Sequence, residues 1–356
     1  MITNYLAKQI GGGNSIRSSR AFGLDLVRTF AIFSVIAGHF FSLHTAFRTT
    51  PMAGISMTIQ SVAQSVFAAG VPLFIMLTGY LNINKTLSRK YYSGIWRVLI
   101  AYVFFCIVTL LFRHYFAGDP VSIFTAIKKI LDFSAFMYGW YIEMWIGLFL
   151  LVPFINILYK GIETRRHKMI FIIILSFITF LPTFTNRYGQ HLLPEFWRDC
   201  YPLTYYIIGA YIREYTPRIS RWLLLSVILA IGIIPPVFSM IVMPGHTQIS
   251  ILGDCFGIFG ALSAIAIFLM MYDLKCDKGI VTNSIYWISL LSLDMYLCCY
   301  IFDSMIYPWF KSHYFVDQAS FGIYFFIIVP IIFVGSFALS LVKRMLFSAP
   351  GLVRYR

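Results

Sequence analysis

The amino-acid sequence predicts an all-α, polytopic membrane protein with about ten transmembrane helices. Of its 356 residues, 59% are hydrophobic and 12% are charged, whereas soluble domains carry roughly 25% charged residues. The mean hydropathy is +0.79. Apolar runs close to the twenty residues that a helix needs to cross the hydrocarbon recur along the chain. We therefore predict a single membrane domain rather than several soluble ones.

The predicted spans divide the chain into an N-terminal segment 1–20, a membrane domain 21–346 and a tail 347–356. The second span contains Gly70 and Pro72, which makes it a candidate for a broken helix. The sixth is short. The ten spans are 21–43, 57–82, 95–116, 139–159, 167–185, 200–215, 220–243, 249–272, 283–306 and 322–346.

The distribution of Lys and Arg predicts the orientation. With ten spans, 20 of the 28 basic residues fall on the side that receives both termini, seven fall on the other side, and Arg28 lies within the first span. Cytoplasmic connections carry such an excess, so we predict cytoplasmic N- and C-termini. The net charge of +14 resides in short connections between apolar segments. We therefore expect membrane lipids, and no nucleic acid, as its partners.

Several classes of site are excluded by missing motifs. The chain has no GxxxxGK[ST] phosphate loop, no HExxH, no GxSxG and no CxxC pair, so it is neither a P-loop ATPase nor a recognisable zinc protease. The six cysteines lie in or next to apolar segments without metal-ligand spacing. We interpret them as small apolar fillers and predict no metal site.

The first span carries three ionisable residues on one helical stripe. Asp25, Arg28 and His39 lie at spacings that share one face, and about 16 Å separates Arg28 from His39. A charged residue in an apolar helix costs about 2.5–3.5 kcal/mol on insertion scales. One interpretation is an internal polar site, with Arg28 towards the cytoplasm and His39 towards the outside. The alternative is that Asp25 and Arg28 reach back to the near interface and His39 is a single hydrogen-bonded histidine.

Four further acidic residues lie within predicted spans. Glu143 sits between aromatic residues and would accept a proton or orient His39 if it faced the same cavity; the alternative is a carboxyl group at the outer interface. Asp303 is close to the outer end of span nine, where an interfacial position is the favoured interpretation. Asp294 and Asp254 are the other two, and Asp294 is the more central of span nine's acids.

A second basic group, Arg89, Lys90 and Arg97, leads into span three on the predicted cytoplasmic side. Such residues are common wherever a helix meets that surface. Together with Arg28 they would also bind a phosphorylated ligand through charge-assisted hydrogen bonds. Both interpretations stay open on the residues alone.

The stripe resembles the signature of the bacterial integral-membrane acyltransferase type 3 family. That signature is an Arg or Lys, ten residues and a His, here Arg28-TFAIFSVIAG-His39. Other stretches resemble family patterns in the same order: VPLFIMLTGYL (71–81), RKYYSGIWRVLIAYVF (89–104), GWYIEMWIGLFLLVPFI (139–155), YYIIGAYI (205–212) and SLDMYLCCYIF (292–302). In the last stretch Asp294 stands at the family's Gly position and Cys299 at its usual His position.

The resemblance implies an enzyme of the bacterial inner membrane that transfers an acyl group, usually acetyl from acetyl-CoA, to a hydroxyl of a surface polysaccharide or lipid-linked glycan. His39 would be the general base or a transient acyl carrier, and Arg28 would position the donor, braced by Asp25. The candidate catalytic residues are His39, Arg28, Asp25 and Glu143, and the candidate acyl-CoA-binding residues are Arg28, Arg89, Lys90 and Arg97. The alternative functions are a transporter or flippase of lipid-linked sugars and a catalytically silent scaffold.

Overall fold

The computed structural model describes residues 22–186, 191–242, 245–247, 257–277 and 279–348. The predicted N-terminal segment 1–20, most of the predicted tail and Asp254 lie outside these residues. The described part is helical and contains no strand. In chain order its α-helices are α1 (Phe22–His39), α2 (Gly54–Phe67), α3 (Gly70–Asn82), α4 (Arg89–Tyr92), α5 (Ile95–Tyr115), α6 (Ile123–Leu131), α7 (Trp140–Gly161), α8 (Arg165–Thr179), α9 (Pro182–Thr185), α10 (Tyr201–Tyr215), α11 (Arg221–Val242), α12 (Ile258–Met271), α13 (Gly279–Tyr314), α14 (Gln318–Phe321) and α15 (Phe325–Ser348).

The predicted all-α, polytopic architecture is confirmed. In the described residues, eight helical segments are long and apolar enough to cross a membrane. Each of the ten predicted spans overlaps a helix of the described residues, although 249–256 of the eighth span lie outside them. Two of these helices, as described, are shorter than a full crossing. They are α10, with 15 residues, and α12, with 14. The chain is therefore a multi-pass membrane protein with two short helices inside its bundle.

The second predicted span is divided into α2 and α3, as Gly70 and Pro72 suggested. Pro72 lies in the first turn of α3, where its missing N–H has no intrahelical partner to lose. Gly70 is needed for a different reason. A Cβ there would lie 2.8 Å from a side-chain carbon of Val35 and 3.0 Å from the carbonyl oxygen of Ala31. The small residue lets α3 approach α1 closely.

Helix α1 is the central helix of the bundle. It contacts α2, α3, α12, α13 and α15, and its residues join both of the main apolar clusters. Val27 and Ala31 belong to the cluster nearer its start, and Ile32 and Ile36 to the other. All four side chains are fully buried. The ionisable residues of α1 are therefore held among other helices rather than facing lipid.

Helix α13 is longer than the predicted span 283–306. It has 36 residues and continues through Pro308 to Tyr314. The predicted end near residue 306 was wrong: neighbouring helices can support a helix that continues through an internal proline. Asp303 consequently lies well inside α13 and is fully buried. Its predicted interfacial position was also wrong.

The short helix α10 packs against α3 through two glycines. A Cβ on Gly79 would clash with the backbone carbonyl of Tyr206, and a Cβ on Gly209 would clash with that of Met76. Small residues of this kind let the backbones of membrane helices approach closely. The reciprocal contact fixes α3, one wall of the cavity described below, against the bundle.

Replacement of Gly79 or Gly209 by Ala should destabilise the protein. Each added methyl group would force two backbones apart, and overpacking typically costs about 1–3 kcal/mol. The measurement is the midpoint of thermal unfolding in detergent. Gly147→Ala on α7 is the matched control, since a Cβ there meets nothing within 4 Å. An unchanged midpoint in both test variants would contradict the close α3–α10 packing.

Candidate active site

His39 lies at the last residue of α1 and is 8% exposed. Its Nδ1 atom is 3.3 Å from Oδ2 of Asp303, which comes from α13 and is fully buried. A carboxylate at one ring nitrogen selects the tautomer protonated on that side. Nε2 is then the nitrogen that can accept a proton. This arrangement suits a general base, with the carboxylate placed to stabilise the imidazolium that forms.

Two further side chains complete this group. The Tyr138 hydroxyl donates to Asp303 Oδ2 over 2.5 Å, and His44 Nε2 is 2.5 Å from the same hydroxyl oxygen. The rings of His39 and Tyr138 stack with centroids 4.0 Å apart, and His44 stacks on Tyr307. We call His39, His44, Tyr138 and Asp303 the His39 cluster.

One arrangement of protons satisfies the contacts of the His39 cluster. Three hydrogen bonds join its four groups, and His44 Nε2 also lies 3.5 Å from Asp303 Oδ2. If Asp303 is ionised, His39 Nδ1–H and the Tyr138 hydroxyl both donate to Oδ2, and His44 Nε2–H donates to the tyrosine oxygen. Two protons then face the carboxylate, and the third faces the hydroxyl oxygen that donates to it. Nε2 of His39 keeps its lone pair, which is the form a base requires.

Asp25 and Arg28 form a second polar group, nearer the start of α1 than His39 is. Ser289 on α13 donates its hydroxyl to Asp25 Oδ1 over 2.6 Å. Arg28 Nη1 donates to the same serine oxygen over 3.2 Å and lies 3.9 Å from Asp25 Oδ1. Asp25 is 5% exposed. Asp25 therefore contacts Arg28 both directly and through Ser289, and its role as a brace of Arg28 stays a prediction.

The two polar groups set the register between α1 and α13. Asp25 to Ser289 and His39 to Asp303 are both pairs separated by 264 residues. A constant separation means that the helices run parallel. The pairs are 14 residues apart on each helix, which is about 21 Å. The pairing of α1 with α13 thus fixes the positions of Arg28 and His39 along the bundle.

A cavity of about 310 Å³ begins beside Arg28. Arg97 on α5 and Asn82 at the end of α3 also line it, as do Tyr141 and Tyr296, whose rings pack against each other with centroids 5.1 Å apart. Its remaining lining residues are Phe74, Leu77, Thr78, Leu81, Gly94, Val98, Ile142, Trp145, Phe149, Ser292 and Leu293. From Asn82 to Phe74 it extends over eight residues of α3, about 12 Å. We call it the Arg28 cavity.

The other two predicted donor-binding residues, Arg89 and Lys90, do not line the Arg28 cavity. Arg89 lines a separate surface depression with Tyr92 and Trp96. Lys90 is exposed on α4. The structure thus brings Arg28 and Arg97 into one cavity and leaves Arg89 and Lys90 on the adjoining surface, within the helical segment that leads into α5.

Glu143 is not brought to the His39 cluster. It is exposed on α7, on the same face as Leu150 and Phe154, which are also exposed. The acid that contacts His39 is Asp303 instead. Asp303, His44 and Tyr138 were not among the predicted site residues. The sequence features that could have indicated two of them are a second histidine, five residues after His39 in the same apolar run, and a tyrosine directly before span four.

Asp294 and Cys299, the two departures from the family pattern, have separate surroundings. Asp294 accepts from Lys343 Nζ over 2.5 Å, so its charge is paired within the bundle. The Cys299 thiol donates to the Tyr296 carbonyl oxygen over 3.2 Å. Ligand atoms of Cys299, His39 and Asp303 lie within 4.8 Å of one another, and zinc accepts all three ligand types. The absence of a metal site stays a prediction.

Comparison with known proteins identifies the class. The acyltransferase type 3 family model, described as an acyltransferase domain, matches residues 22–342. The chain belongs to this family and is a membrane acyltransferase. The match therefore favours the enzyme over the transporter and scaffold alternatives. Searches of curated proteins and of solved structures found no match.

Asp303→Asn should lower kcat on the order of 10²-fold, within the range of general acid–base catalysis. The amide keeps the size of the side chain but removes the charge that faces His39. The Michaelis constant for the acyl donor should change little, because the Arg28 cavity does not include Asp303. The measurement is acyl-transfer kinetics at equal amounts of folded protein.

Asp277→Asn, at an exposed position, is the control for this substitution. If the two variants had the same kcat as the wild type, the carboxylate of Asp303 would have no part in the reaction.

Proposed function

We propose that the chain is an O-acyltransferase of the bacterial inner membrane. In this proposal an acyl group, expected to be acetyl, moves from cytoplasmic acyl-CoA to a hydroxyl of a cell-surface polysaccharide or a lipid-linked glycan. The observation that carries it is the pairing of α1 with α13. One helix pair holds an arginine at a cavity and a carboxylate-bound histidine about 16 Å further along.

The Arg28 cavity supports an acyl-CoA donor. Arg28 and Arg97 offer guanidinium groups, which match phosphate oxygens geometrically and stay charged. Arg89 and Lys90 add positive charge on the adjoining surface. A cavity of about 310 Å³ suits the narrow, uncharged arm of the donor rather than its nucleotide. The nucleotide phosphates would then stay beside the basic residues, and the thioester would extend towards Tyr141 and Tyr296.

The His39 cluster supplies the chemistry. Nε2 of His39 takes the proton of the acceptor hydroxyl, and the oxygen attacks the thioester carbonyl carbon. The carbon–sulfur bond breaks, and the CoA thiolate receives the proton from His39. The net change is one ester formed and one thioester consumed. Asp303 faces the transient imidazolium throughout. Burial strengthens this electrostatic interaction relative to water.

A covalent relay is the second form of the same proposal. His39 would carry the acyl group briefly before the acceptor hydroxyl removes it. Both forms use the same histidine and the same donor site. They differ in whether label from the donor is found on the protein when the acceptor is withheld.

Vesicles that contain the protein, radiolabelled acetyl-CoA and a glycan extract from the host test this function. The wild type should label the glycan, and His39→Ala should lose at least about 10²-fold of that rate. His167→Ala, at an exposed histidine, is the control. Equal labelling by wild type and His39→Ala would remove His39 from the mechanism. Movement of lipid-linked sugar across the bilayer without any labelling would favour a flippase.

The donor site has its own test. Arg28→Ala should raise the Michaelis constant for acetyl-CoA by roughly tenfold or more, because a hydrogen bond to a charged group contributes about 1.5–3 kcal/mol. Arg166→Ala, at an exposed position on α8, should leave that constant near the wild-type value. If Arg28→Ala also left it unchanged, Arg28 would be a structural partner of Asp25 and Ser289 only.

A further inference from the structure

A short π-helical turn, Phe40–His44, follows α1 and carries the second histidine of the His39 cluster. On a regular α-helix, residues five apart are rotated by about 140° from each other and face different neighbours. Hydrogen bonds from residue i to residue i+5 widen the turn, so His39 and His44 come onto nearly the same face. Their ring centroids are 6.3 Å apart. The turn therefore brings a second imidazole to the buried carboxylate of Asp303.

Asp303 is held through one of its two carboxylate oxygens. Oδ2 is 3.3 Å from His39 Nδ1, accepts from the Tyr138 hydroxyl over 2.5 Å and lies 3.5 Å from His44 Nε2. Oδ1 has no hydrogen-bond partner among the described residues, although the side chain is fully buried. The orientation of the carboxylate towards His39 therefore depends on the contacts of Oδ2, and the shortest of these is the contact with Tyr138.

Tyr138 has one hydroxyl hydrogen and two close neighbours. Asp303 Oδ2 and His44 Nε2 are each 2.5 Å from its oxygen. If His44 accepted that hydrogen, an ionised Asp303 would face the tyrosine oxygen with no proton between them. If His44 Nε2–H donates instead, the hydrogen is left for the carboxylate. The ring of His44 stacks on Tyr307 with centroids 4.5 Å apart, which holds Nε2 in place. His44 thus decides the direction in which Tyr138 donates.

We propose that His44 is a positioning residue for the transfer reaction. By donating to the Tyr138 hydroxyl, it holds that hydroxyl on Asp303 and keeps the carboxylate opposite His39 Nδ1. The inference rests on the proposed function, in which His39 is the base or the acyl carrier. His44 acts through Tyr138 and Asp303 rather than on a substrate. It serves both forms of the mechanism, because each needs Nε2 of His39 without a proton.

Two substitutions separate this hydrogen bond from the packing of the ring. His44→Phe keeps an aromatic ring against Tyr307 and removes the N–H group. His44→Gln removes the ring, but its side-chain amide can place an N–H group near the position of Nε2. A positioning role predicts that Phe is the more damaging substitution, whereas a role in packing alone predicts the reverse.

In the vesicle assay, His44→Phe should lower kcat by roughly tenfold or more, because small misplacements of catalytic groups are costly. His44→Gln should stay at least about fivefold faster than His44→Phe, which is the usual effect of one hydrogen bond. The Michaelis constant for acetyl-CoA should change less than about twofold in both variants, since the Arg28 cavity does not include His44. His114→Gln, at an exposed histidine, is the matched control.

The effect should pass through Tyr138. Tyr138→Phe removes the hydroxyl and keeps the ring that stacks on His39, so adding His44→Phe to it should lower kcat no further. His44→Leu takes the place of His44→Phe if that variant does not fold. Three results would each overturn the proposal: wild-type kcat in His44→Phe, a His44→Gln variant slower than His44→Phe, or losses that add up in full with Tyr138→Phe.

The proposed function fails separately, if the wild type transfers no acyl group. The nitrogen NMR spectrum of protein labelled at its histidine nitrogens then tests the contacts directly, with the His39 signals assigned by their loss in His39→Ala. His39 should be protonated on Nδ1 in the wild type and in His44→Gln, and should become a mixture of both tautomers in His44→Phe. The same tautomer in all three proteins would overturn the role assigned to His44.

Discussion

The cost of burying ionisable groups in an apolar helix explains much of this structure. Asp25, Arg28 and His39 are tolerated on α1 because each finds a polar partner on α13. Intramembrane charges of this kind usually face the interior of a bundle and pair there. Here the partners, Ser289 and Asp303, have the same 14-residue spacing as the residues they contact. The requirement for partners thus also fixes the register of the two helices.

That register has a chemical consequence. An arginine that can hold a charged donor and a histidine that can act as a base are kept at two levels of one helix pair. The region between them is apolar and aromatic, so a neutral arm can occupy it while the charged part stays at the basic end. In such a low-dielectric setting a preorganised carboxylate stabilises developing positive charge more strongly than water would. In the proposed function, the site would combine donor orientation with base catalysis.

The fold class and half of the site could be predicted from the sequence. Hydropathy is a strong signal in a membrane protein because the bilayer imposes the length of the helices. The spacing of Arg28 and His39 on one stripe followed directly from helix geometry. Asp303 was missed because span nine was predicted to end at residue 306, whereas α13 continues to Tyr314. Its carboxyl group was therefore placed at an interface instead of opposite His39.

Glu143 shows a different limit. In soluble helices the polar face reveals which side faces outward. Helix α7 is apolar nearly all round, so its sequence carries little information about its rotation, and the structure turns Glu143 outward. The contact between Tyr138 and His44 is likewise invisible in sequence, because 94 residues separate them. Such contacts depend on how distant helices pack.

The central claim is that His39 and Asp303 act as one unit in the transfer reaction. The most direct measurement is a double-mutant cycle on the rate of acyl transfer, with His39→Ala, Asp303→Asn and the double variant. Residues that act as a unit give strongly non-additive losses. We predict that the double variant is no slower than His39→Ala alone. If the losses in ΔG‡ added up in full, the two residues would act independently and the account would be contradicted.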